Sequence, residues 1–124
     1  MTLMCRGVRG ATTAESNTKD AILDATTELL ERLTEVNGID PDFVAGVWLT
    51  TTPDLDADFP ARAARVRMGW TQVALMSGHE MGVPGGLPMC IRVLVLLNTE
   101  KGPEEIKFVY LRGAVGLRDP EPSA

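Results

Sequence analysis

Cysteine is scarce in this chain: Cys5 and Cys90 are the two it has, without metal-ligand spacing and without the even, spaced set of a disulfide framework. That argues against a stapled scaffold or a thiolate metal centre and leaves both thiols as small buried hydrophobes. No apolar run approaches the length of a membrane span. The opening Met-Thr-Leu-Met-Cys-Arg lacks the apolar core of a signal peptide, so a cytoplasmic protein is expected. Basic charge is also short, with 12 Lys and Arg against 17 Asp and Glu and a net charge of −5. Nothing resembles a basic face, which argues against a nucleic-acid partner. Within that small basic set, lysine is rarer still, with three Lys to nine Arg. Arginine suits two-point recognition of carboxylates and tolerates burial better than lysine.

What is present is enough for one core. A chain of 124 residues with 44% hydrophobic residues reads as a single folded domain over residues 1–118, followed by a short polar tail over residues 119–124. Cys5 to Thr13 opens as a strand that breaks at Gly10, with Arg6 and Arg9 on opposite faces. Gly7 and Gly10 remove side chains beside Arg9, which lets another segment or a ligand come close. Asn17 or Thr18 caps a helix carrying the stripe Ile22, Thr26, Leu29, Leu33 and Val36, closed by Asn37-Gly38. Its other face, with Asp24, Glu28, Glu31, Arg32 and Glu35, reads as solvated. A second strand runs from Val44 to Thr52, and a short helix from Pro60 to Arg67 places Arg62 and Arg65 on one face beside Asp58. Trp70 to Met76, Ile91 to Leu97 and Lys107 to Leu111 read as three further strands. The class is α/β with α+β character: a five-stranded mixed sheet with one long and one short helix. Two helices do not cover both faces of such apolar strands, so the uncovered face is expected to pack on other copies of the chain.

The chain is organised around Ser77 to Leu97. A Gly- and Pro-rich loop carries His79 and one carboxylate, Glu80, and runs into an apolar strand interrupted by Arg92. Ile91, Val93, Val95 and Leu97 alternate with Arg92, Leu94 and Leu96, so both faces read as buried. A guanidinium there requires an anionic partner. That partner is either an Asp or Glu of the fold or a bound ligand.

Four short segments together carry a family likeness: Arg6 to Thr13, Thr52 to Pro60, His79 to Leu87 and Cys90 to Val93. In this order and spacing the chain resembles the trimeric, barrel-like class of monofunctional chorismate mutases over roughly Arg6 to Asp119. The resemblance implies a homotrimer whose sheets form a pseudo-barrel, with active sites in the subunit clefts. It also implies the Claisen rearrangement of chorismate to prephenate on the route to phenylalanine and tyrosine, with no metal or other cofactor. By resemblance, Arg92 meets the ether oxygen and a carboxylate, Arg9 grips a carboxylate, and Glu80 accepts the substrate hydroxyl and fixes Arg92. Tyr110 binds a carboxylate, and Phe59, Ala61 and Leu117 form apolar walls. Leu75, Met76 and Ser77 line the substrate, with Ser77 standing where the family often has cysteine and Met76 where threonine is common. Arg62 and Arg65 match the cleft mouth, and Arg118 matches a basic residue of a closing C-terminal segment. His79 is read as a loop residue outside the chemistry. Two competing readings are an imine/enamine deaminase on a similar trimeric fold and a non-catalytic trimer that binds small aromatic-pathway acids.

Overall fold

A computed structural model describes residues 2–117 of the chain. Arg118 and the predicted tail lie outside the described residues. Five strands, β1 (Met4–Thr13), β2 (Val44–Thr51), β3 (Leu75–His79), β4 (Cys90–Thr99) and β5 (Val109–Tyr110), form one sheet in the order β3-β2-β4-β1-β5. The antiparallel strand β4 sits at the centre, between β1 and β2. The outer pairs β2–β3 and β1–β5 are parallel. The mixed sheet predicted from sequence is therefore present, with its reversed strand being the one that carries Arg92.

The long helix α1 (Lys19–Asn37) starts at Thr18, whose hydroxyl accepts a bond from the Ala21 amide, and ends at Gly38 in the left-handed region with φ 63°. Its apolar stripe is buried at Ile22, Leu23, Ala25, Leu29, Leu30 and Leu33. Leu29, Leu30 and Leu33 pack in one cluster with Val8, Val47, Leu49, Val93, Val95 and Leu97 on one face of the sheet, and Ile22 and Ala25 in a second with Ala14, Leu55 and Ile91. Gly10 makes that approach possible: a Cβ there would lie 2.9 Å from Leu33 Cδ1, 3.0 Å from Leu29 Cδ1 and 3.2 Å from the Val109 carbonyl. Gly10 therefore does not break β1, which runs on to Thr13.

Several predicted boundaries move. The third strand begins at Leu75 rather than Trp70, because Trp70 drops into the core and the chain turns at Gly69, with φ 72°. The segment after Pro60 opens with one helical turn and widens into a π turn over Ala63–Arg67, closed by the Met68 amide bonding to the Ala63 carbonyl. The last strand shrinks to Val109–Tyr110, so Phe108 lies before it. The acidic face of α1 is more than solvated. Asp24 pairs with Arg67, and Glu28 pairs with Arg112 at 3.0 Å, tying the helix to the π turn and to the turn after β5.

The sheet's other face corrects the reading of β4 as buried on both sides. Val93, Val95 and Leu97 are buried, but Leu96 is exposed and Leu94 and Arg92 are half-buried. Trp48 and Met76, beside them on the same face, are 53% and 59% exposed. This open apolar face is the one expected to need a further partner. Among the described residues no helix is long and apolar enough to cross a membrane.

Candidate active site

Strand register brings the charged residues together. Arg92 lies opposite Thr50 on β2 and Ala11 on β1, and Ala11 lies opposite Tyr110 on β5. Directly opposed strand residues share a face, so Thr50, Arg92, Ala11 and Tyr110 form one row across the open side of the sheet. The next row holds Met76, Trp48, Leu94 and Arg9. A cleft of about 350 Å³ opens between the two rows, lined by Arg9, Trp48, Thr50, Glu80, Arg92, Val93 and Leu94. Its volume suits a small ligand.

Glu80 reaches this cleft from just beyond β3. Its backbone amide donates to the Thr51 carbonyl at 2.8 Å, which holds Glu80 beside the end of β2. Arg92 then grips its carboxylate at two points, Nη2 to Oε1 at 3.0 Å and Nε to Oε2 at 3.1 Å. Of the two partners left open for Arg92, the fold supplies a carboxylate, while the side chain stays 39% exposed and lines the cleft. The Arg9 side chain has no ion pair or hydrogen bond among the described residues. Two guanidinium groups thus share the cleft with a single carboxylate, and the surplus positive charge faces open space. Among the described residues the Tyr110 hydroxyl, which is buried, has no hydrogen-bond partner. Such a group is expensive to leave unpaired and suits a ligand oxygen.

The remaining expected residues gather elsewhere. Ser77 lies opposite Leu49, on the core side of β3, and so faces away from Arg92. It lines a second cleft, of about 410 Å³, with Thr51, Leu55, Asp58, Phe59, Pro60, Gly78 and His79. Its hydroxyl is buried there with no partner among the described residues. His79 closes β3 rather than lying in a loop, and its Nε2 sits 3.3 Å from the Leu55 carbonyl. Arg62 stands at the edge of this region, 3.2 Å from Asp58, and Arg65 is exposed. Ala61 and Leu75 pack against the main core rather than into either cleft. Met76 is on the Arg92 side, and Leu117 is exposed at the end of the described residues. Within one chain the expected residues therefore form two groups on opposite faces of the sheet.

Two cleft residues escape a reading of the sequence. Thr50 donates its hydroxyl to Glu80 Oε2, and Trp48 lines the cleft from β2. Their alternation with the buried Val47 and Leu49 showed which face they take, but their distance from Arg92 depends on strand order. Near the site, burial pushes the Cys90 thiol up, the neighbouring Arg92 charge offsetting only part of this. Cys90 is a core residue, as expected, whereas Cys5, expected to be buried as well, is exposed. At the entry to β4, a hydrogen bond from Thr52 holds the Asp54 carboxyl below its ordinary value, aided by the Met89 amide.

The family model of type I chorismate mutase matches residues 5–120. The chain belongs to the type I chorismate mutases. It is an enzyme, and the chemistry of its family is isomerisation. It is 45% identical to the chorismate mutase AroH of Bacillus subtilis over 116 residues, covering 94% of this chain and 91% of that protein. It is 49% identical to the chorismate mutase AroH of Thermus thermophilus over 116 residues, covering 93% and 94%. Its fold superimposes on the solved chorismate mutase from Clostridium thermocellum with a TM-score of 0.86 and 50% identity, covering 88% of this chain and 96% of that one. The mixed sheet and its flanking helices are thus those of a type I chorismate mutase.

Proposed function

We propose that this type I chorismate mutase rearranges chorismate to prephenate in a cleft built around Arg92, Arg9 and Glu80. The observation that carries the proposal is the unbalanced charge of that cleft, two guanidinium groups to one carboxylate on an open face. Chorismate is a dianion, so the surplus cation and the unpaired Tyr110 hydroxyl suit its carboxylates. The rearrangement is intramolecular: the ether C–O bond breaks, a C–C bond forms, and every electron stays within the substrate. No redox or covalent step is required. Catalysis consists of holding the compact conformer and meeting negative charge as it grows on the ether oxygen.

Each residue then has a task. Arg9 and Tyr110 hold carboxylates. Arg92 directs the part of its guanidinium not engaged by Glu80 at the ether oxygen and a carboxylate, where charge is greater in the transition state than in the ground state. Glu80 accepts the substrate hydroxyl and keeps Arg92 oriented. Phe59, Ser77, Arg62 and Arg65 would complete the cleft from a neighbouring copy, in a homotrimer with sites between subunits. Two observations support that assembly: the exposed apolar face around Trp48, Met76 and Leu96, and the separation of Ser77 and Phe59 from Arg92 within one chain. A cytoplasmic setting accords with a soluble pathway intermediate as substrate.

The test is a direct assay with chorismate, following loss of its diene absorbance and identifying prephenate by chromatography. Turnover that vanishes in Arg92→Ala is expected. A folded protein that binds chorismate, seen as a raised melting temperature, without converting it would replace the catalytic reading with that of a binding protein.

A further inference from the structure

The Arg92–Glu80 pair has a weakness. Within one chain both side chains are partly exposed, 39% and 26%, so packing by their own chain does not hold the pair in one place. A guanidinium and a carboxylate joined only to each other swing as a unit, and a displacement of about 1 Å at the reacting atoms is enough to slow an enzyme severely. Something must anchor the pair to the sheet.

Strand β2 holds Glu80 at both ends. The Thr51 carbonyl takes its backbone amide at 2.8 Å. The Thr50 hydroxyl, 2.5 Å from Oε2, must be the donor, because an ionised carboxylate only accepts. Oε2 therefore receives both the Thr50 hydroxyl and Arg92 Nε, while Oε1 faces Arg92 Nη2. Thr50 is half-buried and stands directly opposite Arg92 on the adjoining strand, on a rigid element rather than in the loop. A charge-assisted hydrogen bond from such a donor fixes the carboxylate plane, and the carboxylate plane fixes the guanidinium.

We infer that Thr50 is a positioning residue for the reaction: its hydroxyl, acting through Glu80, sets the orientation in which Arg92 meets the substrate. The inference rests on the reading of Arg92 and Glu80 as the reacting site. Thr50 itself need not touch substrate. Because its effect is relayed, it should appear in kcat more than in KM, and it should depend on Glu80 being present.

The experiment compares steady-state kinetics of the full-length enzyme with those of Thr50→Val, Thr50→Ser, Glu80→Ala and the Thr50→Val/Glu80→Ala double variant. Thr50→Val keeps the shape and removes the donor, and is expected to lower kcat/KM about tenfold, chiefly through kcat, with little change in melting temperature. Thr50→Ser, which retains a hydroxyl, is expected to keep most of the activity. In the Glu80→Ala background the valine substitution should change the residual rate less than about twofold, since the relay is already cut. Should valine disturb the strand pair, Thr50→Ala repeats the comparison. An undiminished kcat in Thr50→Val, or an equal loss with and without Glu80, overturns the inference. A Glu80→Ala enzyme as fast as the unsubstituted one would instead overturn the site assignment on which it rests, and the two failures are distinct because that variant is measured alone.

Discussion

Arg92 shows how a single residue type can be required by chemistry rather than charge. Its guanidinium is engaged on one edge by both oxygens of Glu80, through Nε and Nη2. The planar fork can do this and still present N–H groups elsewhere, whereas a lysine ammonium is a compact point charge that cannot span the same distances. Arg92→Lys is therefore expected to lose about 2–4 kcal/mol of transition-state stabilisation, roughly 30- to 1,000-fold in kcat/KM, with the fold intact. A lysine variant within twofold or threefold of the unsubstituted enzyme would show that charge alone suffices. This residue was legible in the sequence because a charge inside an apolar strand stands out locally. Thr50 was not, because nothing near it in the chain mentions Glu80 or Arg92; only the pairing of β2 with β4 brings the three together. Ser77 was legible as a residue but not as a direction. A strand that starts at Leu75, in register with β2, turns Ser77 to the core side.

At the scale of elements, β1, α1 and β5 meet at one point, Gly10. Helix α1 and most of β4 were legible because capping residues and periodicity are local signals. The third strand was misplaced because the apolar Trp70 satisfies the core from a turn as well as it would from a strand. The two-residue β5 has too little pattern to be bounded. What no local signal conveyed was how closely those elements approach. A methyl group at Gly10 would press on Leu29 and Leu33 of α1 and on the Val109 carbonyl of β5. The leucine termini can rotate away, but the backbone oxygen can move only with β5, whose next residue is Tyr110. Gly10→Ala is therefore expected to destabilise the protein by about 1–3 kcal/mol through overpacking. It should also raise KM as Tyr110 shifts in its row beside Ala11. Thermal melting and steady-state kinetics check the two effects, and a variant that melts and binds like the unsubstituted protein would mean that the contact relaxes without consequence.

For the whole molecule the decisive feature is that the expected site residues lie on two faces of one sheet. Arg9, Arg92 and Glu80 open on the exposed side, whereas Ser77 and Phe59 line a cleft on the other. In the proposed homotrimer a closed ring would let the second cleft of one copy meet the first cleft of the next, which is how a cyclic assembly joins unlike surfaces. This arrangement makes a prediction that no single-chain site shares. Arg92→Ala should be inactive for lack of the cation at the ether oxygen. Phe59→Asp should be inactive because a carboxylate at this 68% exposed position would repel a dianion while leaving the core alone. When the two inactive proteins are unfolded together and refolded as a mixture, subunits reassort. A site that draws Arg92 from one variant and Phe59 from the other is whole, and in an equal mixture about one quarter of the sites should be so constituted. Chorismate turnover at about that fraction of the unsubstituted rate is expected from the mixture, with none from either protein refolded alone. A mixture that sediments as trimers yet stays inactive would place both clefts' contributions within one chain. The surplus charge around Arg9 and Arg92 would then have to act without the neighbouring copy.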